Sequence, residues 1–411
     1  MTSPTTAGRL HAMDALRAYA LLGGVVLHAC MSFVPNIMGW VVVDSRPSMA
    51  LAWLFFVIHA FRMPTFFLIA GFFARMLLHR RGPRGFIRNR LAHIALPAAV
   101  GWPVLYLAVS QVFAWGTKTM NDGVLPPGSG IMDHPVMRQP GAFPMLHLWF
   151  LYFLVLFYAA ALALSALAAR GGAPALLLKR TGAVLAAILK SPWAPLAFAA
   201  PLAVALYYEP VWLMWFGIPA PDKNFIPDQP ALAGYGAAFV VGWLLHARPD
   251  LIGEIERRWL PNMVMAGGLL CGAALIGGQK SIDHNQPWGG PDLAAACVYS
   301  AAVFAATFAV VGAAHRFVSG QSAWRRYLAD ASYWIYLVHL PLVMGLQIAV
   351  SQLDWPAWIK LIVILGAAVP MLLISYELFV RDTVIGTMLN GRRRARASLP
   401  HPLVLSGEAK P

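Results

Sequence analysis

The chain has 411 residues, of which 59% are hydrophobic and only 12% are charged, and its formal net charge is +14. A soluble globular domain has about 45–50% apolar and about 25% charged residues, so this composition excludes a soluble globular enzyme and also a disordered chain. Three cysteines are too few for a disulfide-stapled secreted module, and the class that remains is a protein whose main solvent is lipid.

Ten apolar runs are long enough to cross a bilayer as helices, because roughly 20 apolar residues span about 30 Å of hydrocarbon. In chain order they are residues 16–38, 49–78, 91–115, 145–169, 193–208, 231–247, 263–279, 293–316, 328–350 and 357–380. Two prolines, Pro195 and Pro201, make the fifth run the least regular. The sequence therefore predicts an all-α polytopic membrane protein with about ten transmembrane helices, and residues 1–391 form one integral-membrane domain.

The positive charges of the chain predict its orientation. If the N-terminus lies inside, most of the 31 lysines and arginines fall on inner segments, where these residues accumulate in membrane proteins. Both termini are therefore predicted to be cytoplasmic, and residues 392–411 are predicted to form a basic, flexible tail. Basic loops that face an anionic leaflet also explain the net charge, so the lipid bilayer is an expected partner and nucleic acid is not.

Three ionisable residues, His28, Arg62 and His339, fall near the centres of predicted spans. Such groups cost at least about 2.5–3.5 kcal/mol at mid-membrane depth, so each is a functional candidate. If the three spans pack together, two imidazoles and one guanidinium meet inside the bundle. The competing interpretation is that each group only satisfies a backbone carbonyl or a carboxylate and locks the helix packing.

The first span places a cation and an imidazole on one helical face. His28 follows Arg17 by three full turns plus about 20°, or about 16 Å along the axis, and Asp14 falls on the same stripe and can pair with Arg17. These dimensions suit a donor with phosphates and a long thin arm, such as acyl-CoA, because arginine binds phosphate and a neutral histidine accepts a proton.

The same groups also fit a different class of protein. A proton-coupled transporter or exporter of a small anion or sugar would use His28, Arg62 and His339 as a proton relay, because titratable side chains inside a bundle commonly mark such pathways. Residue identity and spacing alone leave both functions open.

Several sequence blocks carry a resemblance to a known family. They are MDALR at residues 13–17, RMPTFFLIAGF at 62–72, FIRNRLAHIALP at 86–97, HLWFL at 147–151, SYWIYLVHLP at 332–341, VRDTVIG at 380–386 and LNGRR at 389–393. Together with the spacing of Arg17 and His28, they resemble the membrane acyltransferase 3 family over nearly the whole chain, and within it the group of glucan biosynthesis C proteins.

This resemblance implies an enzyme of the bacterial inner membrane. Such an enzyme takes an acyl group from cytosolic acyl-CoA and places it on hydroxyls of a periplasmic glucan or other polysaccharide. Succinyl is the favoured group and acetyl stays open as an alternative. No metal is expected, and the resemblance leaves open whether the chain forms a homo-oligomer.

The resemblance also assigns residues. His28 is the predicted catalytic base. Arg17 positions the donor and is held by Asp14, whereas Arg62 polarises the thioester carbonyl or grips the distal carboxylate of a succinyl group. The predicted donor-binding residues are Arg17, Arg88, Arg90 and His93, the last of which stands where the family usually has an arginine. The predicted substrate-binding residues are His59, His147, Trp149, Tyr333, Tyr336 and His339.

Overall fold

The computed structural model describes residues 6–35, 37, 40–126, 130–133, 137, 139–210, 212–219, 223–278 and 292–390, and their regular structure is almost entirely helical. The longer elements are α1 (Thr6–Met31), α2 (Met49–Arg90), a π-helical turn (Leu91–Ala95), α3 (Leu96–Met120), α4 (Trp149–Ala169), α5 (Gly172–Lys190), α6 (Ala194–Tyr207), α7 (Gln229–Ala247), α8 (Asp250–Arg257), α9 (Trp259–Ala273), α10 (Leu293–Phe317), α11 (Ala323–Ser351), α12 (Ala357–Phe379) and α13 (Val384–Asn390). The predicted all-α membrane fold is confirmed. The predicted tail, residues 392–411, lies outside the described residues.

The helices follow the predicted apolar runs with a few differences. Within the described ranges, nine helical stretches are long and apolar enough to cross a membrane. The second and third predicted runs share one of them, Met49–Met120, which is broken at Gly82, where φ is 64° and ψ is 177°. Pro83 follows this residue and disrupts the helix further. The fifth predicted run corresponds to the 14-residue α6, and α5 is an apolar helix that no predicted run contains.

The first helix ends earlier than the predicted run 16–38. α1 stops at Met31, where Phe33 and Val34 donate to the carbonyls three residues back, at 3.0 and 3.1 Å, and Pro35 cannot continue the helix because it has no N–H. His28 therefore lies in the last turn of α1 and not at the centre of a longer helix. It is still at membrane depth, because its hydrogen-bond partner His339 lies near the middle of the 29-residue α11.

The additional helix α5 is long and apolar enough to cross a membrane, but its contacts place both of its ends at one face of the bundle. Trp149 packs on Tyr235 and Phe157 on Phe239, so α4 and α7 run parallel and end at the same face. α5 begins where α4 ends, and its last residue, Lys190, forms an ion pair of 3.4 Å with Asp250, which follows α7. Both ends of α5 thus lie at one face, and the predicted order of crossings is unchanged.

The ion pairs at this face affect the acidity of Asp250. Arg248 donates two hydrogen bonds of 3.1 Å to its carboxylate, and these bonds hold the pKa of Asp250 below its ordinary value, with a further contribution from Lys190. The three side chains are about half exposed, so the ion pair between Lys190 and Asp250 anchors the end of α5 but adds little to stability.

On the opposite face, the segment after α6 enters the bundle. Trp212, Met214 and Trp215 are buried, and Trp215 packs on Phe56 with a ring separation of 4.9 Å. Irregular backbone at membrane depth is tolerated where protein covers it. We call residues 212–218 the inserted loop.

Two glycines let α2 and α7 touch through their backbones. A Cβ atom at Gly71 would overlap the carbonyl oxygen of Phe239, and one at Gly242 would overlap that of Leu68. Small residues at such contacts are typical of packed transmembrane helices. This contact fixes the position of α2, the helix that carries Arg62.

Residues 40–48, which we call the outer strap, cross the outer face between α1 and α2. Lys360 of α12 donates to Asp44 at 2.7 Å, and both side chains are almost completely buried. Lys360 also donates to the carbonyl of Ser351 at 3.1 Å, and Ser45 donates to the same carbonyl from its backbone N–H at 3.2 Å. The strap is therefore tied to the outer ends of α11 and α12.

Candidate active site

Two histidines from distant parts of the chain form a hydrogen-bonded pair. Nδ1 of His28 lies 2.9 Å from Nε2 of His339, and the ring centres are 5.0 Å apart. His339 is buried and His28 is partly exposed. The predicted meeting of the first and ninth spans therefore occurs in the structure, with the two imidazoles in direct contact.

Arg17 and His28 share a face of α1, as their spacing predicts. Nη2 of Arg17 donates to the carbonyl of Ala329 at 3.1 Å, and His28 contacts His339, so both residues face α11. The order of these contacts shows that α1 and α11 run parallel. Asp14 is 3.8 Å from Arg17, a distance typical of a weak, exposed ion pair, so the carbonyl is the closer partner.

Arg62 is a buried cation that has no counter-ion among the residues described. It is only 8% exposed, and it has neither an ion pair nor a hydrogen bond with any residue that the structure describes. Its guanidinium lies against Gly24, where an added Cβ would be 2.6 Å from Nη1. Gly24 is one turn from His28, so the guanidinium lies beside the histidine pair. An unpaired charge at this depth is costly, and an anionic substrate group would offset that cost.

His147 bonds to a backbone carbonyl that a proline in α11 leaves free. Pro341 has no N–H, so the carbonyl of Leu337 loses its helical donor, and Nε2 of His147 donates to it instead at 3.0 Å. Tyr336 donates from its hydroxyl to the carbonyl of His147 at 2.6 Å. His147 packs edge-on against His339, with ring centres 5.4 Å apart. Its Nδ1 is buried and has no partner in the described ranges.

Two residues that the sequence patterns do not single out hold His28 from the outer side. Gln347 donates to the carbonyl of His28 at 2.8 Å, and its side-chain oxygen accepts from Trp40 Nε1 at 3.1 Å. The Trp40 ring is nearly parallel to that of His28, 6.2 Å away. The sequence gives one signal for these contacts, because Gln347 is an uncharged polar residue inside an apolar span. The site is predicted from ionisable residues, so Gln347 is not among the candidates.

The remaining predicted substrate residues occupy different surroundings. His59 packs on Phe55 with ring centres 5.2 Å apart, and it borders Gly217 of the inserted loop. Trp149 is 9% exposed and is stacked on Tyr235 at 5.7 Å, a core position between α4 and α7. His59 thus lies at the outer side of the site, whereas Trp149 supports the helix packing.

Aromatic rings connect the basic inner side to the histidine pair. Arg90 lies over the ring of Tyr158, 5.0 Å from its centre, and both are close enough to Tyr333 to interact with it electrostatically. Tyr333 stacks on Tyr336 at 6.4 Å, and Tyr336 lies 6.4 Å from His339. The hydroxyl of Tyr333 is buried and lacks a partner among the residues described. These groups form a row that leads from the inner face toward His339.

The predicted donor-binding residues do not form one cluster. Arg17 lines a cavity of about 160 Å³ between the inner ends of α1 and α11. Arg88 lines a separate open groove of about 540 Å³ together with Arg84 and apolar side chains. His93 donates from Nδ1 to the carbonyl of Met388 at 2.6 Å, so it ties α13 to the π-helical turn. The sequence block that contains Arg88, Arg90 and His93 thus places its members in three environments.

The central groups are suited to acyl transfer. A histidine with one fixed ring nitrogen can act as a base, and an adjacent guanidinium can bind a carboxylate or a developing oxyanion. Across the described residues, no group of three or more His, Cys, Asp or Glu side chains is arranged to hold a metal ion. The groups at the centre of the bundle are thus a candidate base and a candidate anion-binding cation.

Comparison with protein families identifies the class. Residues 10–380 match the acyltransferase domain family, and this range covers most of the chain and includes His28, Arg62 and His339. The chain belongs to this family, and it is a multi-pass membrane acyltransferase. The resemblance seen in the sequence blocks is confirmed.

Known relatives are similar over almost their entire length. The chain is 26% identical to the glucans biosynthesis protein C of Salmonella typhimurium, and the alignment covers 97% of this chain and 100% of the relative. It is 25% identical to the protein of the same name from Salmonella schwarzengrund, over 95% of this chain and 97% of the relative. No solved structure matches the chain.

Proposed function

We propose that this protein is an O-acyltransferase that moves a succinyl group from cytosolic succinyl-CoA to hydroxyls of a periplasmic glucan, with His28 as the catalytic base. The observation that carries the proposal is the His28–His339 pair beside Arg62, a cation with no carboxylate partner in the described part of the chain. The names of the relatives support a glucan as the acceptor. Family membership favours group transfer over the proton-coupled exporter.

The proposed reaction assigns one proton transfer in each direction to His28. The acceptor hydroxyl attacks the thioester carbonyl while its proton passes to His28, so a C–O bond forms and a tetrahedral oxyanion appears. The oxyanion collapses, the C–S bond breaks, and His28 returns the proton to the sulfur of CoA. Acyl-CoA and hydroxyl give ester and free CoA, and His28 ends in its initial protonation state.

Arg62 supports a dicarboxylic donor. The guanidinium lacks a carboxylate partner in the described structure, and it lies at Gly24, one helical turn from His28. One turn is about 5.4 Å, which is comparable with the length of an extended four-carbon diacid. A distal carboxylate would pair with Arg62 while the thioester carbon lies near His28. Arginine is suited to this task because its planar fork matches a carboxylate.

The two substrates would reach His28 from opposite faces. On the inner side, Arg17 and the row from Arg90 to Tyr336 offer cations and aromatic surfaces to a nucleotide and its phosphates. On the outer side, Trp40 and His59 border the site, and aromatic rings bind sugar faces well. A donor arm that enters from inside and a hydroxyl from outside would meet at the histidine pair.

A purified-protein assay tests the proposal. The protein in detergent is supplied with succinyl-CoA and a glucan oligosaccharide, and the release of free CoA is measured. His28→Ala is expected to lower this release by about 10²–10⁴-fold, the usual contribution of a general base. His246→Ala is the matched control, because His246 packs on Phe72 outside the site. Unchanged release in His28→Ala would show that His28 is not the base.

The donor is tested separately by mass spectrometry of cell-envelope glucans with and without the gene. Succinylation adds a negative charge to the glucan, whereas acetylation does not. Succinyl esters that depend on the gene would support the proposed donor. Acetyl esters alone would contradict it and leave the transferase activity intact.

A further inference from the structure

His339 makes hydrogen bonds that fix the position of its own proton. Its Nδ1 lies 3.0 Å from the carbonyl oxygen of Ile335 and 2.8 Å from that of Tyr336, both in the preceding turn of α11. A carbonyl oxygen only accepts hydrogen bonds, so Nδ1 of His339 carries a hydrogen. In a neutral imidazole the other nitrogen is then unprotonated, and Nε2 of His339 is an acceptor.

This assignment determines the tautomer of His28. Nε2 of His339 accepts across the 2.9 Å contact, so Nδ1 of His28 must donate. The hydrogen of a neutral His28 therefore lies on Nδ1. Its Nε2 holds a free lone pair, and no residue in the described part of the chain bonds to it. Nε2 is thus the nitrogen that is free to take a proton from a substrate.

We propose that His339 is a positioning residue that holds His28 in the tautomer whose Nε2 acts as the base, an inference that rests on the proposed function. When the hydroxyl proton moves to Nε2, the resulting imidazolium keeps its Nδ1–H bond to His339. When the C–S bond breaks, the Nε2 proton passes to the sulfur. His339 neither gains nor loses a proton, and it acts only through His28.

A neutral orienting group suits this part of the bundle. In hydrolase triads a carboxylate orients the histidine. Here Arg62 is close enough to interact electrostatically with both His28 and His339, so a carboxylate at position 339 would pair with Arg62. The cation would then be unavailable to the anionic end of the donor. An imidazole with one proton held by backbone carbonyls accepts from His28 without competing for Arg62.

The kinetic test compares two substitutions in the full-length protein. His339→Ala removes the acceptor, and we expect kcat for succinyl-CoA-dependent CoA release to fall about 10²–10⁴-fold while KM for succinyl-CoA stays within about threefold. His339→Gln supplies a side-chain oxygen that accepts from Nδ1 of His28, and it should recover at least about tenfold of that loss. His246→Gln is the matched control and should leave kcat unchanged.

A spectroscopic test detects the tautomer without using activity. In protein labelled with ¹⁵N-histidine, the His28 signal, assigned by its absence in His28→Ala, should report a proton on Nδ1 in the wild type and in His339→Gln. In His339→Ala it should report a mixture of tautomers. If His339→Ala does not fold, the wild-type and glutamine spectra still decide the question.

Different results would overturn the role of His339 and the proposed function. A wild-type protein that transfers acyl groups while His28 is protonated on Nε2 overturns the role of His339 and leaves the proposed function standing. A His339→Ala variant that keeps its kcat overturns the same role. A wild-type protein that transfers no acyl group to the glucan oligosaccharide overturns the proposed function itself.

Discussion

Two buried polar clusters, each with a member on α11, differ in how their charges are balanced. In the outer strap, the cation of Lys360 is paired with Asp44 at 2.7 Å and bonds to the carbonyl of Ser351. Beside His28, the cation of Arg62 has no carboxylate among the residues described. The first cluster balances its charge with a carboxylate of the chain, and the second holds a charge that no described carboxylate balances.

This difference separates a structural cluster from a functional one. Burying a charge is costly, and a protein that pairs the charge internally gains a fixed geometry. A buried charge without a partner lowers stability and persists where a ligand uses it. Burial alone would rank Lys360 above Arg62, because Lys360 is completely buried and Arg62 is 8% exposed. The absence of a described partner therefore separates the functional cation from the structural one better than burial does.

The largest expected effect is on stability, at the outer strap. Lys360→Met leaves Asp44 buried without its cation, and this should lower the free energy of unfolding by about 3–5 kcal/mol. The double variant Lys360→Met/Asp44→Leu removes both charges and should recover most of the loss. Denaturation of the detergent-solubilised protein measures both. A single variant as stable as the wild type would show that the pair does not hold the strap.

The opposite pattern is expected at Arg62. Arg62→Gln should lower succinyl-CoA turnover about 10²–10³-fold because an electrostatic contact to the substrate is lost, while stability is kept or increased because an unpaired buried charge is gone. Acetyl-CoA turnover should change little, since acetyl has no distal carboxylate. Arg75→Gln is the matched control on the same helix, because Arg75 packs on Trp243 away from the site. Equal losses for both donors would instead assign Arg62 to the oxyanion.

A smaller effect, on KM for the donor, should distinguish Arg90 from Arg88. Arg90→Ala should raise KM for the donor about tenfold, equal to about 1.4 kcal/mol. Arg90 lies over Tyr158 at the start of the row of side chains that leads to His339. Arg88→Ala should change KM less than about threefold, because Arg88 is exposed in a separate groove. Steady-state kinetics with varied succinyl-CoA measures both. A larger effect at Arg88 would place the donor phosphates in the groove.

The smallest effect is expected for the exposed part of the strap. Arg46 pairs with Asp354 at 2.5 Å, and their side chains are 53% and 84% exposed. Arg46→Ala should therefore cost only about 0.2–1 kcal/mol of stability, far less than Lys360→Met. The same denaturation experiment compares them. A loss as large as that of Lys360→Met would mean that burial does not set the energies of this region.

Local sequence patterns predicted much of the fold and one face of the site. Helical periodicity placed Arg17 and His28 on the same side of α1, and the structure shows both facing α11. The family resemblance grouped Arg88 and His93 as donor-binding residues, yet His93 bonds to Met388 and Arg88 lines an open groove. A shared sequence block fixes spacing along the chain, and the direction of each side chain depends on what packs against it.

Composition and apolar run length determined by themselves that this chain is a membrane protein that spans the bilayer with helices, and the alternation of charge predicts that its basic segments lie on one side. These are local properties, set by the cost of exposing polar groups to hydrocarbon. Only the tertiary structure decided that His28 meets His339, 311 positions away, and that Gln347 and Trp40 hold it. Contacts at such separations depend on which helix faces pack together, and the periodicity of the sequence within one helix does not predict that.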